Sequence, residues 1–212
     1  KDQKMLSVVL PAYNEEKMIK KAASVIGSIL QKEKIAYELV FVDDGSKDGT
    51  WQQILSLSKD NSNIHGIHFS RNFGKEAAIY AGLKECKGDY AVIMDADLQD
   101  PPELIPDMLK LWEEGNEVIY GKRKTRKGES AFKILTAQMF YSFLNAMSEV
   151  EIPKNTGDFR LVDRKVIDVI NSLPEHNKFL RGLFSWVGFE QKAFLYDRPE
   201  RKLGTTKYPF KK

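Results

Sequence analysis

Acidic residues cluster in two short segments, and each segment follows a predicted buried strand. The doubled acid Asp43-Asp44 follows the apolar residues 37–42, and Asp95-Ala96-Asp97 follows the apolar residues 90–94. Crowded carboxylates raise one another's pKa unless a cation or hydrogen-bond donors compensate them. Two aspartates separated by one residue at a strand exit can both face a hard cation, and phosphate oxygens can complete its shell. The triplet therefore predicts a Mg²⁺ or Mn²⁺ site that shares its metal with a diphosphate.

The position of this triplet strengthens the metal interpretation. Short acidic pairs are common on solvated turns, so the residue types alone are weak evidence. The triplet ends a buried strand, however, and an uncompensated charge there would be costly. Gln99, two residues further on, can add an amide oxygen. The predicted metal ligands are therefore Asp95, Asp97 and Gln99.

The doubled acid lies in a turn that also has a structural interpretation. Residues 42–50 read Val-Asp-Asp-Gly-Ser-Lys-Asp-Gly-Thr and precede a predicted helix. We expect Asp48 to cap that helix. Asp43 and Asp44 suit hydrogen bonds to a uracil N–H or to ribose hydroxyls, as acidic residues bind ribose in dinucleotide-binding folds. Residues 11–15, Pro-Ala-Tyr-Asn-Glu, would form another wall of the same pocket.

Short apolar runs alternate with amphipathic runs through the first 120 residues. The predicted strands are residues 6–10, 37–42, 64–69, 90–94 and 117–121, and the predicted helices are residues 15–30, 50–58, 75–86 and 102–114. This alternation predicts an α/β fold, with a mostly parallel central sheet and helices on both faces. Ligands of such sheets collect at the carboxyl ends of the strands, where the acidic segments lie.

The alternation stops after residue 121. A basic loop, residues 122–129, leads to an apolar-aromatic helix at 131–147. A loop ending in residues 156–160, a helix at 164–173 and a strand at 191–196 follow. The helix at 131–147 is too short and too polar to span a bilayer. It suits either core packing or partial insertion at a membrane interface.

Composition excludes several classes of protein. A hydrophobic content of 42% with 30% charged residues is typical of a globular domain, and a net charge of +3 does not indicate nucleic-acid binding. Cys86 is the single cysteine, so we expect a buried thiol in a reducing setting, without a disulfide. His65, His68 and His176 lack metal-ligand spacing and are expected to be structural. We expect neither a signal peptide nor a spanning helix within the chain.

Several separated strings resemble the inverting glycosyltransferases of family 2. They are residues 11–16 (Pro-Ala-Tyr-Asn-Glu-Glu), 42–46 (Val-Asp-Asp-Gly-Ser), 70–74 (Ser-Arg-Asn-Phe-Gly) and 94–102 (Met-Asp-Ala-Asp-Leu-Gln-Asp-Pro-Pro). The chain is most similar to the branch that makes polyprenyl-phosphate sugars, which includes dolichyl-phosphate mannose synthases. Three later strings resemble its bacterial undecaprenyl-phosphate members: residues 157–161, 179–182 and 201–208.

This resemblance implies one catalytic domain with a GT-A type fold. A nucleotide-sugar-binding half would span about residues 1–121, and an acceptor-side half residues 122–212, with transmembrane helices expected after residue 212. The implied reaction moves a hexose-type sugar from a nucleotide-sugar, expected to be a UDP-sugar, to undecaprenyl phosphate. It would serve cell-envelope glycans at the cytoplasmic face of a bacterial membrane. Assembly as a homo-oligomer stays open.

The resemblance also assigns site residues by position. Nucleotide-sugar contacts fall on Pro11, Tyr13, Glu15, Asp43, Asp44, Asp95 and Ala96. Asp95, Asp97 and Gln99 would serve the metal and diphosphate. Asp158 matches a catalytic carboxylate, either a base or a positioning group, and Asp97 is the second residue expected to be essential for turnover. The acceptor phosphate would contact Arg123, Arg126, Lys127, Lys133, Arg201 and Lys207. Lys133 lies near the position where the mannose synthases carry a second arginine. The basic loop at residues 122–129 is also compatible with an ordinary solvated surface.

The implied mechanism is a single in-line displacement with inversion at the sugar. A phosphate monoester has a second pKa near ~6, so the acceptor is largely ionised at pH 7 and needs little help from a base. Two alternatives are a phospho-receiver-like signalling domain and a nucleotide-sugar-binding domain without transferase activity. Receivers place an acidic pair after the first strand, where this chain has Ala12-Tyr13-Asn14. The retained Asp95, Asp97 and Asp158 argue against an inactive binding domain.

Overall fold

The computed structural model describes residues 3–124, 156–174 and 180–197, together with Met139 and Ser142. The described strands are β1 Met5–Ala12, β2 Ala36–Asp43, β3 Ile64–His68, β4 Tyr90–Ile93, β5 Val118–Arg123, β6 Thr156–Asp163 and β7 Gln191–Tyr196. The described helices are α1 Ile19–Lys32, α2 Thr50–Asp60, α3 Lys75–Glu85, α4 Ile105–Glu113, α5 Arg164–Ser172 and α6 Leu180–Trp186. The helix predicted at residues 131–147 lies outside the described residues, apart from Met139 and Ser142.

These strands form one sheet in the order β3-β2-β1-β4-β6-β5-β7. Strand β1 is parallel to β2 and β4, β2 is parallel to β3, and β5 is parallel to β7. Strand β6 is antiparallel to both of its neighbours, β4 and β5. The carboxyl ends of the parallel strands therefore meet at one edge of the sheet, and β6 begins at that same edge. The predicted mostly parallel α/β sheet is confirmed.

Strand β6 corrects one prediction from the sequence. Residues 156–160 were expected to end a loop, but they open a strand inserted between β4 and β5. Ile93 pairs with Arg160 in the β4–β6 register, and continuing that register by two residues sets Asp158 opposite Asp95. Charged side chains at Asp158 and Arg160 hide the strand pattern, and the strands that pair with it are distant in sequence. The insertion brings a carboxylate from the second half of the chain to the acidic triplet.

Helices cover both faces of the sheet, as predicted. Leu6, Val8 and Leu10 of β1 pack in a core with buried residues of α1 and α4, whereas Val9 packs on the opposite face with residues of α3 and α5. This alternation follows from the two-residue period of a strand. Fully burying one Val or Leu side chain stabilises the fold by about 1.5–3 kcal/mol, so the two cores hold the strand exits rigidly.

Two smaller predictions are also resolved. Cys86 is buried in the core between α3 and α5, as expected of a small apolar residue, and burial raises the pKa of its thiol. Helix α1 begins at Ile19 rather than at residue 15. Asn14 has a left-handed φ of 50°, and the Glu15 carbonyl accepts the Met18 N–H in a turn that precedes the helix. In the described part of the chain, no helix combines the length and apolar character needed to cross a membrane.

Candidate active site

The exits of β1 and β2 are joined by reciprocal hydrogen bonds. Asn14 N donates to Ser46 Oγ (2.8 Å), and Lys47 N donates to Asn14 Oδ1 (2.8 Å). Gly49 occupies the N-cap of α2, and Asp48, one residue earlier, accepts the Thr50 N–H at 3.0 Å. The expected capping by Asp48 therefore occurs from the position before the cap. These contacts fix the two predicted walls of the nucleoside pocket to each other.

Asp43 is fully buried and held by protein partners. Its Oδ1 accepts Ser46 N at 3.0 Å, and its Oδ2 lies 2.8 Å from His68 Nδ1. Because a carboxylate only accepts, the His68 proton lies on Nδ1. The His68 ring stacks on Trp51 with 4.6 Å between centroids. His68 thus has the structural role that we expected, and that role is to orient Asp43. His65 lies 3.3 Å from Glu38, away from this edge.

Asp44 is also fully buried, and it organises the loop before α3. Its carboxylate accepts Phe73 N (2.8 Å), Gly74 N (3.1 Å) and Asn72 Nδ2 (3.1 Å). Gly45 (φ +66°) allows the close approach, because a Cβ there would lie 2.1 Å from the Arg71 backbone carbon. Nucleoside contact by Asp43 and Asp44 stays a prediction. The geometry adds a hydrogen-bonded link from the end of β2 to Gly74, the residue before α3.

The acidic triplet lies on a tight turn at the end of β4. Asp95 is partly exposed, Ala96 is buried beneath the turn, and Leu98 adopts a left-handed φ of 60°. Asp97 Oδ1 accepts Gln99 N at 3.1 Å, and the buried Asp100 accepts Asp95 N at 3.3 Å. The turn therefore holds the two aspartates of the triplet in a fixed relation.

The donor set of this turn fits a hard divalent cation. Carboxylate and amide oxygens are the ligands that Mg²⁺ and Mn²⁺ prefer. Asp95 Oδ1 already attracts a cation, since Lys75 Nζ lies 2.6 Å away. In the described ranges, no three His, Cys, Asp or Glu side chains converge as a metal cage. Such a pair of acids suits a metal whose remaining ligands come from a diphosphate, as the sequence predicted.

Asp158, at the start of β6, is ion-paired through both carboxylate oxygens. Arg181 Nε lies 2.9 Å from Oδ1, and Lys75 Nζ lies 2.9 Å from Oδ2. Arg181 Nη2 also donates to Oδ2 at 3.3 Å. Burial alone would raise the pKa of Asp158, but attraction to Lys75 and then Arg181 outweighs it and holds the pKa well below the usual range. Asp158 is therefore ionised at neutral pH and is a weak proton acceptor.

Lys75 is the bridge between the triplet and Asp158. Its ammonium contacts Asp95 Oδ1 and Asp158 Oδ2 at once. Burial acts to lower its pKa, but the two carboxylates more than compensate, so the pKa lies above its ordinary value. Lys75 is therefore charged at every pH at which the fold is expected to function. The predicted metal ligand and the predicted catalytic carboxylate belong to one ion-pair cluster.

Two further arginines contact Gly157, the residue before Asp158. Arg123 Nη2 lies 3.1 Å from where a Cβ on Gly157 would stand, so the glycine makes room for the guanidinium. Arg160 is 5% exposed, lies over the Phe184 ring at 4.6 Å and donates to the Gly157 carbonyl. Burial lowers the pKa of Arg160 to about 10, which leaves it cationic at neutral pH. The Nε atoms of Arg123 and Arg160 are buried with no partner in the described structure.

The structure brings most of the predicted site residues to one edge of the sheet. Pro11 pairs with Val42 across β1 and β2, and Tyr13 and Glu15 follow at the same exit, both partly exposed. Among the residues predicted to bind the acceptor phosphate, Arg123 is described, and its guanidinium lies against Gly157, the residue before Asp158. The other five lie outside the described residues: Arg126, Lys127, Lys133, Arg201 and Lys207.

Sequence reasoning missed Lys75 and Arg181 as ion-pair partners of Asp158, and it missed Arg160 as a buried cation whose charge interacts with that of Asp158. The available signal was their place in or next to the quoted strings. Lys75 directly follows residues 70–74, Arg160 lies in residues 157–161, and Arg181 lies in residues 179–182. Nothing in those strings indicated that Lys75 and Arg181 would pair with one carboxylate.

Comparison with known proteins identifies relatives over nearly the whole chain. The protein YkcC of Bacillus subtilis, described as an uncharacterized glycosyltransferase, is 50% identical over 97% of this chain and 64% of its own length. The bactoprenol glucosyl transferase of Shigella phage SfV is 38% identical over 96% of this chain and 66% of its own length. The chain thus spans about two-thirds of the length of these relatives.

Solved structures show the same fold. Glucosyl-3-phosphoglycerate synthase from Mycobacterium tuberculosis, in complex with Mn²⁺, uridine diphosphate and glucosyl-3-phosphoglycerate, matches with a TM-score of 0.62 and 22% identity. The match covers 95% of this chain and 73% of that chain. The sheet described above is therefore of the GT-A glycosyltransferase type.

The family model of glycosyl transferase family 2 matches residues 7–170. The matched region runs from β1 into α5, so it contains the strand exits, the acidic triplet, Lys75 and Asp158. The sequence match, the fold and the arrangement of acidic residues agree, and the chain belongs to glycosyl transferase family 2.

Proposed function

We propose that this chain is the catalytic domain of an inverting glycosyltransferase that uses a UDP-sugar, a divalent metal and a polyprenyl-phosphate acceptor. The observation that carries the proposal is the pair of contacts from Lys75 to Asp95 and to Asp158. These contacts join the acids expected to handle the donor diphosphate to the carboxylate expected at the reacting sugar. The cluster lies beside the strand exits that carry Asp43 and Asp44.

The donor would lie along the carboxyl edge of the sheet. Asp43 and Asp44 would form the nucleoside end, and Asp95, Asp97 and Gln99 would hold Mg²⁺ or Mn²⁺ with the diphosphate. The metal, when bound, would stabilise the negative charge of the departing nucleoside diphosphate. A solved neighbour in complex with Mn²⁺ and uridine diphosphate supports this assignment. The hexose would then face Asp158.

Asp158 acts as a positioning group in this proposal rather than as a general base. Both of its oxygens are ion-paired, and its pKa lies well below the usual range. A group that weakly accepts protons is a poor base at neutral pH. A phosphate acceptor needs no strong base, because it is largely ionised at pH 7. Asp158 would instead hold the Lys75 and Arg181 side chains in place around the sugar, so that the reactants keep one relative orientation.

A lipid phosphate suits the acceptor side. Arg123 is partly exposed at the carboxyl edge of the sheet, where its guanidinium can make charge-assisted contacts to a phosphate. Relatives named bactoprenol glucosyl transferase support a polyprenyl acceptor. Such an acceptor would place the reaction at a membrane surface, which we propose to be the cytoplasmic face of the bacterial membrane.

The test is transfer of radiolabelled sugar from UDP-glucose, UDP-N-acetylglucosamine and UDP-galactose to undecaprenyl phosphate in detergent. We expect one donor to give an organic-soluble lipid product in the presence of Mn²⁺ or Mg²⁺. Undecaprenol keeps the polyprenyl chain and lacks the phosphate, so it is the matched control, and dolichyl phosphate is a second polyprenyl-phosphate acceptor. UDP binding without transfer from any donor would instead support a nucleotide-sugar-binding domain, and equal transfer to undecaprenol would overturn the phosphate acceptor.

A further inference from the structure

Lys75 occupies an unusual position for a lysine at a predicted metal site. Its ammonium lies 2.6 Å from Asp95 Oδ1 and 2.9 Å from Asp158 Oδ2, and its side chain is 28% exposed. It is the first residue of α3, directly after Gly74 (φ +105°), whose N–H is held by Asp44. The backbone that carries the ammonium is therefore fixed, while the long side chain can move between the two carboxylates.

An ammonium and a divalent cation conflict on one carboxylate oxygen. A Mg²⁺ or Mn²⁺ ion binds a carboxylate oxygen at about 2.0–2.2 Å, so a metal on Asp95 Oδ1 would lie within about 5 Å of Lys75 Nζ in its present position. Like charges at that separation repel strongly in a partly buried site. The second partner, Asp158 Oδ2, offers the ammonium a place to go without a change in the backbone.

We infer that Lys75 is a positioning residue that neutralises Asp95 before a divalent cation binds. When the cation binds Asp95 Oδ1, the Lys75 ammonium withdraws to Asp158. This inference rests on the proposed function, because it treats Asp95 as a metal ligand. Lys75 therefore weakens the binding of metal alone. A nucleoside diphosphate relieves the conflict, since its added negative charge gives both cations a partner. Lys75 thus makes metal binding depend on the donor.

Direct measurement of Mn²⁺ binding tests this role without any turnover. Free Mn²⁺ is followed by its solution electron paramagnetic resonance signal, first with nucleotide-free protein and then with saturating UDP. We expect Lys75→Met to bind Mn²⁺ at least tenfold more tightly than the unsubstituted protein when UDP is absent. UDP should then enhance Mn²⁺ affinity less in this variant than in the unsubstituted protein.

Matched variants separate local displacement from general electrostatics. Lys84→Met removes the same charge from the exposed end of α3 and should leave Mn²⁺ affinity unchanged. Lys75→Arg retains the cation and should keep affinity low. Lys75→Gln repeats the test if the Met variant fails to fold, as judged by its thermal melting curve.

An equal or weaker Mn²⁺ affinity in both neutral Lys75 variants would overturn the inference. Sugar transfer by the unsubstituted protein would still stand in that case, because it is measured separately. An equal increase in Mn²⁺ affinity in Lys75→Met and Lys84→Met would also overturn the inference, because the increase would then follow from net charge alone.

Discussion

Removing the charge of Asp158 tests the ion-pair cluster through stability alone. Asp158→Asn keeps the size of the side chain and removes its charge, which leaves Lys75 and Arg181 without their shared partner. Breaking a buried pair costs about 3–5 kcal/mol, whereas exposed pairs contribute about 0–1 kcal/mol. Asp158 is 10% exposed, but Lys75 and Arg181 are each 28% exposed, so solvent screening reduces the loss. We expect a loss of about 2 kcal/mol at pH 7.

The pH dependence of that loss is the sharper measurement. The pKa of Asp158 is lower in the folded protein than the value of about 3.9 expected for the unfolded chain. The carboxylate therefore contributes stability that is fully present above about pH 5 and declines as pH falls toward the folded-state pKa. Urea unfolding should show the same difference in unfolding free energy between Asp158→Asn and the unsubstituted protein at pH 7 and at pH 5. The difference should be smaller at pH 3.5.

Asp168→Asn provides the control. Asp168 is 64% exposed and forms an i,i+4 pair with Arg164 at 3.4 Å, so its loss should cost less than about 0.5 kcal/mol. Two results would refute the reasoning about Asp158. One is a variant as stable as the unsubstituted protein at pH 7, and the other is a difference in unfolding free energy at pH 3.5 that equals or exceeds the difference at pH 7. The second result would mean that the pKa of Asp158 is not depressed.

Three further predictions concern the reaction and its ligands. Asp97→Asn should reduce transfer at least a hundredfold, and EDTA should do the same until Mn²⁺ is restored; normal transfer in EDTA would remove the metal assignment. Asp44→Ala should weaken UDP binding measured by calorimetry. It should also destabilise the fold by about 1–3 kcal/mol, because three loop donors lose their acceptor. An unchanged UDP affinity would mean that Asp44 only holds the loop. Neutralising Arg123, Arg126 and Lys127 together should raise the acceptor KM tenfold or more with UDP affinity unchanged, and should weaken binding to anionic vesicles at low salt; a variant normal in both assays would assign these residues to a solvated surface.

Local sequence patterns were sufficient for most of the elements. The apolar runs of β1, β2 and β4 and the amphipathic pattern of α1 each lie within a few consecutive residues, so periodicity located them with small errors at their ends. The largest boundary error was the start of α1, where Asn14 and Glu15 form a turn that periodicity does not encode. The order of short strands and helices was also enough to predict a mostly parallel sheet.

Strand β6 could not be predicted in the same way. Its pattern is interrupted by Asp158, whose carboxylate is ion-paired with Lys75 and Arg181, and by the buried Arg160, which donates to the Gly157 carbonyl. Antiparallel insertion between β4 and β5 depends on contacts between residues far apart in the chain. No periodicity within eight residues carries that information.

The sequence by itself determined the acidic groups of the site, because residue types and their spacing after apolar runs fix the chemistry of a strand exit. Asp43, Asp44, Asp95 and Asp97 could be placed at the carboxyl edge of a parallel sheet from their position after apolar runs. Only the tertiary structure decided which groups touch. Strand β6 carries Asp158 just beyond the Ile93–Arg160 pair of the β4–β6 register, and α3 and α6 bring Lys75 and Arg181 to its two oxygens. Those contacts set the charge state of Asp158, and such long-range ion pairs leave no periodic trace in the chain.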